Sequence, residues 1–267
     1  MVVAKKKSAK AVKLAKATKP AKAAKRGKPA KPAKATARPP VEQEVREALA
    51  WLERTGTQHD RDNLPRFGIV APKAFGVSVG NIRALAKRLG RSHELAAALW
   101  DTGWYEARML TSFVDEPDRV TSAQMDRWCR DFDNWAICDT LCFHLFDRTP
   151  HAWAKVAKWS ASEEEFVKRA AFALVASLAG HDKTAGDELF LDALPRIERA
   201  AKDERNFVKK GVSWALRGLG RRNARLHGPA LQVARRLTEA PEAAARWVGR
   251  DAVKELTSPA VVARLKK

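Results

Sequence analysis

From Val41 onward, apolar residues recur at the i, i+3, i+4, i+7 spacing that lines one face of a helix. In 42–54 the stripe is Val45, Ala48, Leu49 and Leu52, and 81–89, 93–100, 106–114, 123–130 and 135–146 carry comparable stripes. Short breaks such as Thr102-Gly103 and Asp115-Glu116-Pro117 separate several of them. No run alternates apolar and polar positions as a half-buried strand would. Residues 56–79, with Pro65, Gly68, Pro72 and Gly76, predict a longer irregular connection. The expected class is all-α.

A repeat sharpens that expectation. Phe166-Val167-Lys168-Arg169 recurs as Phe207-Val208-Lys209-Lys210 and again as Trp247-Val248-Gly249-Arg250, at a spacing of about 40 residues. Each copy continues into apolar helix: Ala173-Leu174, Trp214-Ala215-Leu216, Ala252-Val253. This period fits helix pairs of the HEAT or armadillo type, an α-solenoid over 41–267. Single repeats cannot bury their apolar faces; stacked ones share a core and leave a concave surface. Arg169, Lys210 and Arg250 hold the same place in successive repeats, so they are expected as a row on one face, suited to a phosphate backbone. Arg217, Arg221, Arg222 and Arg225 add cations near one repeat junction.

Charge extends the picture. The chain has 51 Lys and Arg against 31 Asp and Glu, a formal net charge of +20. Residues 1–40 hold 14 of the basic residues and no acidic one, leaving 37 against 31 in the remainder. Lysine recurs there every third residue from Lys10 to Lys34, among Ala and Pro. Such a segment has nothing to bury and repels itself, so 1–40 is expected to be a disordered tail and a non-specific DNA tether. No stretch is long and apolar enough for a membrane span, and the lysines precede no secretory apolar core. Cys129, Cys138 and Cys142 form neither a disulfide framework nor a metal-ligand spacing, and the six histidines are scattered. The cysteines read as small, buried, reduced residues of a cytoplasmic protein and the histidines as structural or surface residues, with no metal and no cofactor expected.

One segment carries candidate chemistry. Trp135 and Asp139 are one helical turn apart, on one face. An aromatic ring beside a carboxylate suits a site where positive charge develops on a substrate. Lys210, Trp214 and Arg217 make a second aligned set. A helical Trp is more often core and a lone Asp more often a cap, so spacing alone leaves both readings open.

The combination Asp133-Asn134-Trp135…Asp139, Phe166-Val167-Lys168-Arg169-Ala170-Ala171 and Asn206-Phe207-Val208-Lys209-Lys210…Trp214-Ala215-Leu216-Arg217 resembles the AlkD-like DNA alkylation repair family. Phe75-Gly76-Val77 with Asn81-Ile82-Arg83 is compatible with it. The resemblance covers roughly 41–260. It implies a HEAT-like glycosylase that removes cationic N3- and N7-alkylpurines from double-stranded DNA without full base extrusion. It further implies Asp139 as the catalytic carboxylate, Trp135 and Trp214 as lesion-side aromatics, and Arg169 as a phosphate grip. Lys168, Lys209, Lys210, Arg217, Arg221, Arg222 and Arg250 are the accompanying DNA-binding candidates. The sequence departs from the family pattern at Asn134, where an aromatic is often found. A monomer at the bacterial nucleoid suffices for this activity. Two other readings fit the residues: a non-catalytic solenoid that binds damaged or structured DNA, and a protein scaffold whose tail alone touches nucleic acid.

Removing residues 1–40 should lower DNA affinity and flatten its salt dependence while leaving damage selectivity unchanged. Salt titrations of the full and shortened chains check this: identical slopes would refute the tether, and near-complete loss of binding would favour the scaffold.

Overall fold

The computed structural model describes residues 38–265. The tail expected over 1–40 lies outside the described residues apart from 38–40. The described residues form fourteen helices and no strand. The first half comprises α1 (Val41–Thr55), α2 (Gln58–Asn63), α3 (Val79–Leu89), α4 (His93–Asp101), α5 (Tyr105–Val114), α6 (Ser122–Arg130) and α7 (Trp135–His144). The second comprises α8 (Ala152–Trp159), α9 (Glu165–His181), α10 (Asp187–Ala200), α11 (Asn206–Gly220), α12 (Ala224–Thr238), α13 (Ala243–Leu256) and α14 (Pro259–Leu265).

The repeat seen in the sequence is a ladder of parallel helices. α7 packs on α9, α9 on α11 and α11 on α13, while α8, α10 and α12 pack behind them. Close approach of α9 and α11 depends on two glycines. A Cβ on Gly211 would lie 3.3 Å from Arg169 Cγ, and one on Gly218 would lie 3.3 Å from Ala176 Cα. Along α9, residues from Ala170 to Val175 are wholly buried between the layers, which explains the nearly continuous apolar run.

The connection over 56–79 contains more order than its prolines and glycines predict. Thr57 caps α2, its hydroxyl accepting from Asp60 N at 3.0 Å, and a 3₁₀ turn follows at Leu64–Phe67. α2 is polar all round, so it leaves no apolar stripe to read. Likewise α7 stops at His144, and a 3₁₀ turn at Phe146–Arg148 takes up the end of the expected 135–146 helix.

The rest of the connection is held by a buried acid. Glu106, fully enclosed within α5, accepts backbone N–H bonds from Phe75 (2.9 Å), Gly76 (2.7 Å) and Val77 (3.2 Å). Gly76 adopts a left-handed φ of 79°, which orients these donors toward one carboxylate. Phe75 stacks on Trp104 with ring centroids 3.9 Å apart. Glu106→Gln replaces one acceptor oxygen with an NH₂ facing N–H donors. It should cost about 2–3 kcal/mol in urea unfolding and loosen the 64–78 segment in hydrogen exchange.

Candidate active site

The site is assembled on α7. Asn134 caps the helix, its Oδ1 accepting from Ala136 N and Ile137 N, both at 3.0 Å. That role gives Asn134 a local reason where the resemblance leads one to expect an aromatic. The cap places Trp135 first in the helix, and Trp135, Asp139 and Phe143 then share one face at i, i+4, i+8. Trp135 Nε1 donates to the carbonyl of Phe67, 68 residues earlier, at 2.8 Å. This bond docks the 3₁₀ turn against the start of α7. Phe67 itself remains 64% exposed beside the site.

Asp139 is held by a two-pronged ion pair. Arg169 Nε donates to its Oδ1 at 2.9 Å and Arg169 Nη2 to its Oδ2 at 2.6 Å, while Arg169 Nη1 reaches the Phe207 carbonyl at 2.6 Å. One side chain thus ties α7, α9 and α11 together. Only 7% of the Arg169 side chain and 18% of the Asp139 side chain are exposed. Burial pushes the Asp139 carboxyl above the usual carboxylate range, and the Arg169 guanidinium opposes that rise. On α11, Trp214 stacks near Phe143 with centroids 6.2 Å apart and planes 24° from parallel.

Trp135, Asp139, Arg169 and Trp214 all border one cavity of about 740 Å³. Asp139 is its only carboxylate among the described residues, whereas Arg66, Arg169, Lys210 and Arg217 supply four cations. A second cavity of about 800 Å³ opens on the other side of Phe67 and Trp135, and Asp139 reaches that one too. The sites expected to carry chemistry from distant parts of the sequence therefore converge.

The expected row of cations does not form as one surface feature. Lys210 and Arg250 are exposed and make no ion pair among the described residues. Arg169 instead turns inward, because the Asp139 carboxylate on the neighbouring helix lies within bidentate reach. In this arrangement three of its donors are committed to Asp139 and to the Phe207 carbonyl. Several other DNA-binding candidates also hold the fold. Lys168 pairs with Asp203 at 3.2 Å, and Arg217 with Asp251 at 3.3 Å and with Glu255. Arg221 meets the other oxygen of Glu255 at 2.7 Å. Arg222 lies over the Phe190 ring at 4.3 Å and donates to the carbonyls that end α9. Lys209 packs its ammonium 5.6 Å from the Trp247 ring.

Sequence reasoning missed Phe67, Phe143, Phe207 and Trp247 as part of this site. Phe143 carries a usable signal, one turn beyond Asp139. Phe207 and Trp247 lead the second and third repeats, where an aromatic column was visible. Nothing in the pattern marks Phe67. Among the described residues no group of three or more His, Cys, Asp or Glu is placed to hold a metal. The three cysteines are buried and unpaired, and burial pushes the Cys129 and Cys142 thiols up.

Comparison with known proteins places this geometry in context. The profile of a family described as DNA alkylation repair enzyme matches residues 48–256. No curated protein matches the chain. Among solved structures it is similar to one described as a new family of proteins related to the HEAT-like repeat DNA glycosylases with affinity for branched DNA structures. The TM-score is 0.66 at 22% identity, over 72% of this chain and 82% of that one. At that identity the likeness shows the fold, a HEAT-like α-solenoid. The smu.31 protein of Streptococcus mutans is more distant, with a TM-score of 0.47 at 19% identity over 80% of this chain and 96% of that one. A designed armadillo repeat protein aligns with a TM-score of 0.36 at 15% identity, over 81% and 94% of the two chains.

Without Arg169 the Asp139 carboxyl would titrate well above its unfolded value of about 3.9. The charged form is then the destabilising one, so the penalty is absent below that pH and grows as pH rises through the folded value. Arg169→Gln should therefore cost on the order of 3 kcal/mol at neutral pH, shrinking steadily as the pH is lowered. Urea unfolding across the acid range measures this, and a deficit independent of pH would refute it.

Proposed function

The chain belongs to the DNA alkylation repair enzyme family, and we propose that it excises cationic N3- and N7-alkylated purines from duplex DNA, acting as a monomer in the cytoplasm. The observation that carries this reading is the Asp139 carboxylate, the only one among the described residues that borders a cavity flanked by Trp135 and Trp214 and lined by four cations. A purine alkylated at N7 or N3 already bears positive charge, so it departs as a neutral base without help from a general acid. The C1′–N bond breaks, its electron pair neutralises the purine, and the sugar becomes oxocarbenium-like, as in other glycoside hydrolyses. Asp139 stabilises that cation and takes the proton of the water whose oxygen bonds to C1′. Trp135 and Trp214 pack against the sugar. Lys210 and Arg250, exposed and without an ion pair among the described residues, would meet phosphates.

Arg169 acts in this scheme through Asp139 and is a positioning residue. It favours the ionised form of a carboxyl that burial alone would neutralise. It also occupies both carboxylate oxygens, so one must be released when substrate binds.

That occupancy favours a second reading, a solenoid that binds damaged or structured DNA without cutting it. The solved structure with affinity for branched DNA structures is consistent with this alternative.

Duplex DNA carrying one N7-methylguanine separates the two. The wild type should generate abasic sites, and Asp139→Asn should slow excision by about a hundredfold or more while DNA affinity stays nearly unchanged. Equal excision by the variant would sink the mechanism. Tight wild-type binding with no abasic product, from this lesion and from N3-methyladenine, would establish the binding-only reading.

A further inference from the structure

The turn at Leu64–Phe67 separates two hollows on the face of the ladder that carries Asp139, and the two differ in charge. The first, over α7, α9, α11 and α13, sets four cations against one carboxylate. The second, of about 800 Å³ over α5 and α7, reverses that balance: Asp60 and Asp139 line it, with Arg66 its one cation among the described residues. This hollow is walled before anything enters it. Trp135 Nε1 holds the turn at the Phe67 carbonyl, and Glu106 holds the chain at Val77, which lines the hollow.

The rest of its wall is mostly apolar and aromatic. Tyr105 and Met109, one turn apart on α5, line it together with Trp135 and Phe67. Two polar groups there have no partner: the hydroxyls of Tyr105, which is 8% exposed, and of Thr140 make no hydrogen bond among the described residues. Burial, reinforced by the nearby Glu106 and Asp133 carboxylates, pushes the Tyr105 phenol up, so it stays a neutral donor. Asp60 contributes its backbone N–H to the cap of α2, which leaves its carboxylate outside that bond. The Phe67 ring borders both hollows and stands exposed between them.

Asp139 is a wall residue of both hollows. The bond that excision breaks joins a sugar, tied to anionic phosphates, to a positively charged purine. A carboxylate acting at C1′ therefore has the sugar on one side of it and the base on the other. The two hollows are charged to match, since a cationic aromatic base is attracted by carboxylates and by aromatic faces. We propose that the second hollow receives the alkylated base itself, swung out of the helical stack. Phe67 lies against its ring, Asp60 near its positive charge, and the Tyr105 and Thr140 hydroxyls at its polar edge. Enzymes that extrude a base hold it in this manner, stacked between aromatic or apolar side chains and hydrogen-bonded along its edge. The assignment rests on the proposed excision. It departs from the family resemblance, which implies excision without full extrusion.

The test uses the full chain and duplexes carrying one 2′-fluoro N7-methylguanine, whose fluorine disfavours the sugar cation and so keeps the base attached. Its neighbour on the same strand is 2-aminopurine, which brightens when a stacking partner leaves. Wild type should brighten the lesion duplex and not an unmodified one. Phe67→Ala should weaken lesion binding about tenfold and remove most of the brightening, while binding unmodified duplex as wild type does. Asp60→Asn should reduce the preference for this cationic lesion over neutral 7-deaza-7-methylguanine by about threefold. Selective lesion binding without brightening would overturn the inference, because the base then stays stacked. Brightening that neither substitution alters would also overturn it, as would equal affinity for lesion and unmodified duplex. Absence of abasic product from ordinary N7-methylguanine DNA would instead remove the excision reading; brightening that Phe67→Ala abolishes would still support the hollow as a base site. Thermal melts of both variants, expected to match wild type, exclude loss of fold as the cause.

Discussion

The bidentate pair between Asp139 and Arg169 organises the molecule as much as it organises the site. Two opposite charges that are almost wholly withdrawn from water pay a large desolvation penalty, recovered only when geometry is close and the remaining donors are met. Here the geometry is close, and the Phe207 carbonyl takes a third donor, so the pair becomes a strut across three successive helices of the ladder. The strut fixes how α7, α9 and α11 sit relative to one another, and hence where Trp135 and Trp214 stand. It also sets two opposing influences on the carboxyl: burial pushes it above the usual carboxylate range, and the neighbouring guanidinium opposes that rise. The same guanidinium covers both carboxylate oxygens.

The same competition between burial and solvation sorts the other cations. Arg222 and Lys168 found carbonyls or carboxylates within the solenoid and became parts of the fold. Lys210 and Arg250, on the same repeat position as Arg169, are exposed and have no ion pair among the described residues. A strongly basic chain is thus less uniformly committed to DNA than its net charge suggests. Helix-end carbonyls satisfy the geometry of such donors without cancelling their charge, as with Arg222 at the end of α9.

An anion also orders the segment before α3. Glu106 gathers three backbone donors around one buried carboxylate, and the Trp135 indole holds the Phe67 carbonyl. These contacts, distant in sequence, bring the irregular stretch against α7 and turn it into a wall of the cavity. Phe67 stays exposed there because its backbone, not its ring, is the group that is anchored.

Much of this was legible in the sequence. Apolar spacing determined the helices, and a period near 40 determined their stacking, because a repeat with one apolar face can bury it only against its neighbours. The one-turn spacing of Trp135 and Asp139 put ring and carboxylate on a shared face, and Phe143 was readable one turn further on. The path of residues 56–79 was not: α2 has no apolar face, and its docking relies on hydrogen bonds to residues far along the chain. Nor was the fate of Arg169, since its repeat position is shared with two exposed cations. What distinguishes it is the carboxylate that packing brings opposite, and periodicity specifies which residues share a face but not which charges meet across two faces. Only the tertiary structure decided that, because a buried ion pair depends on distances of a few tenths of an ångström and on the exclusion of water, neither of which is local.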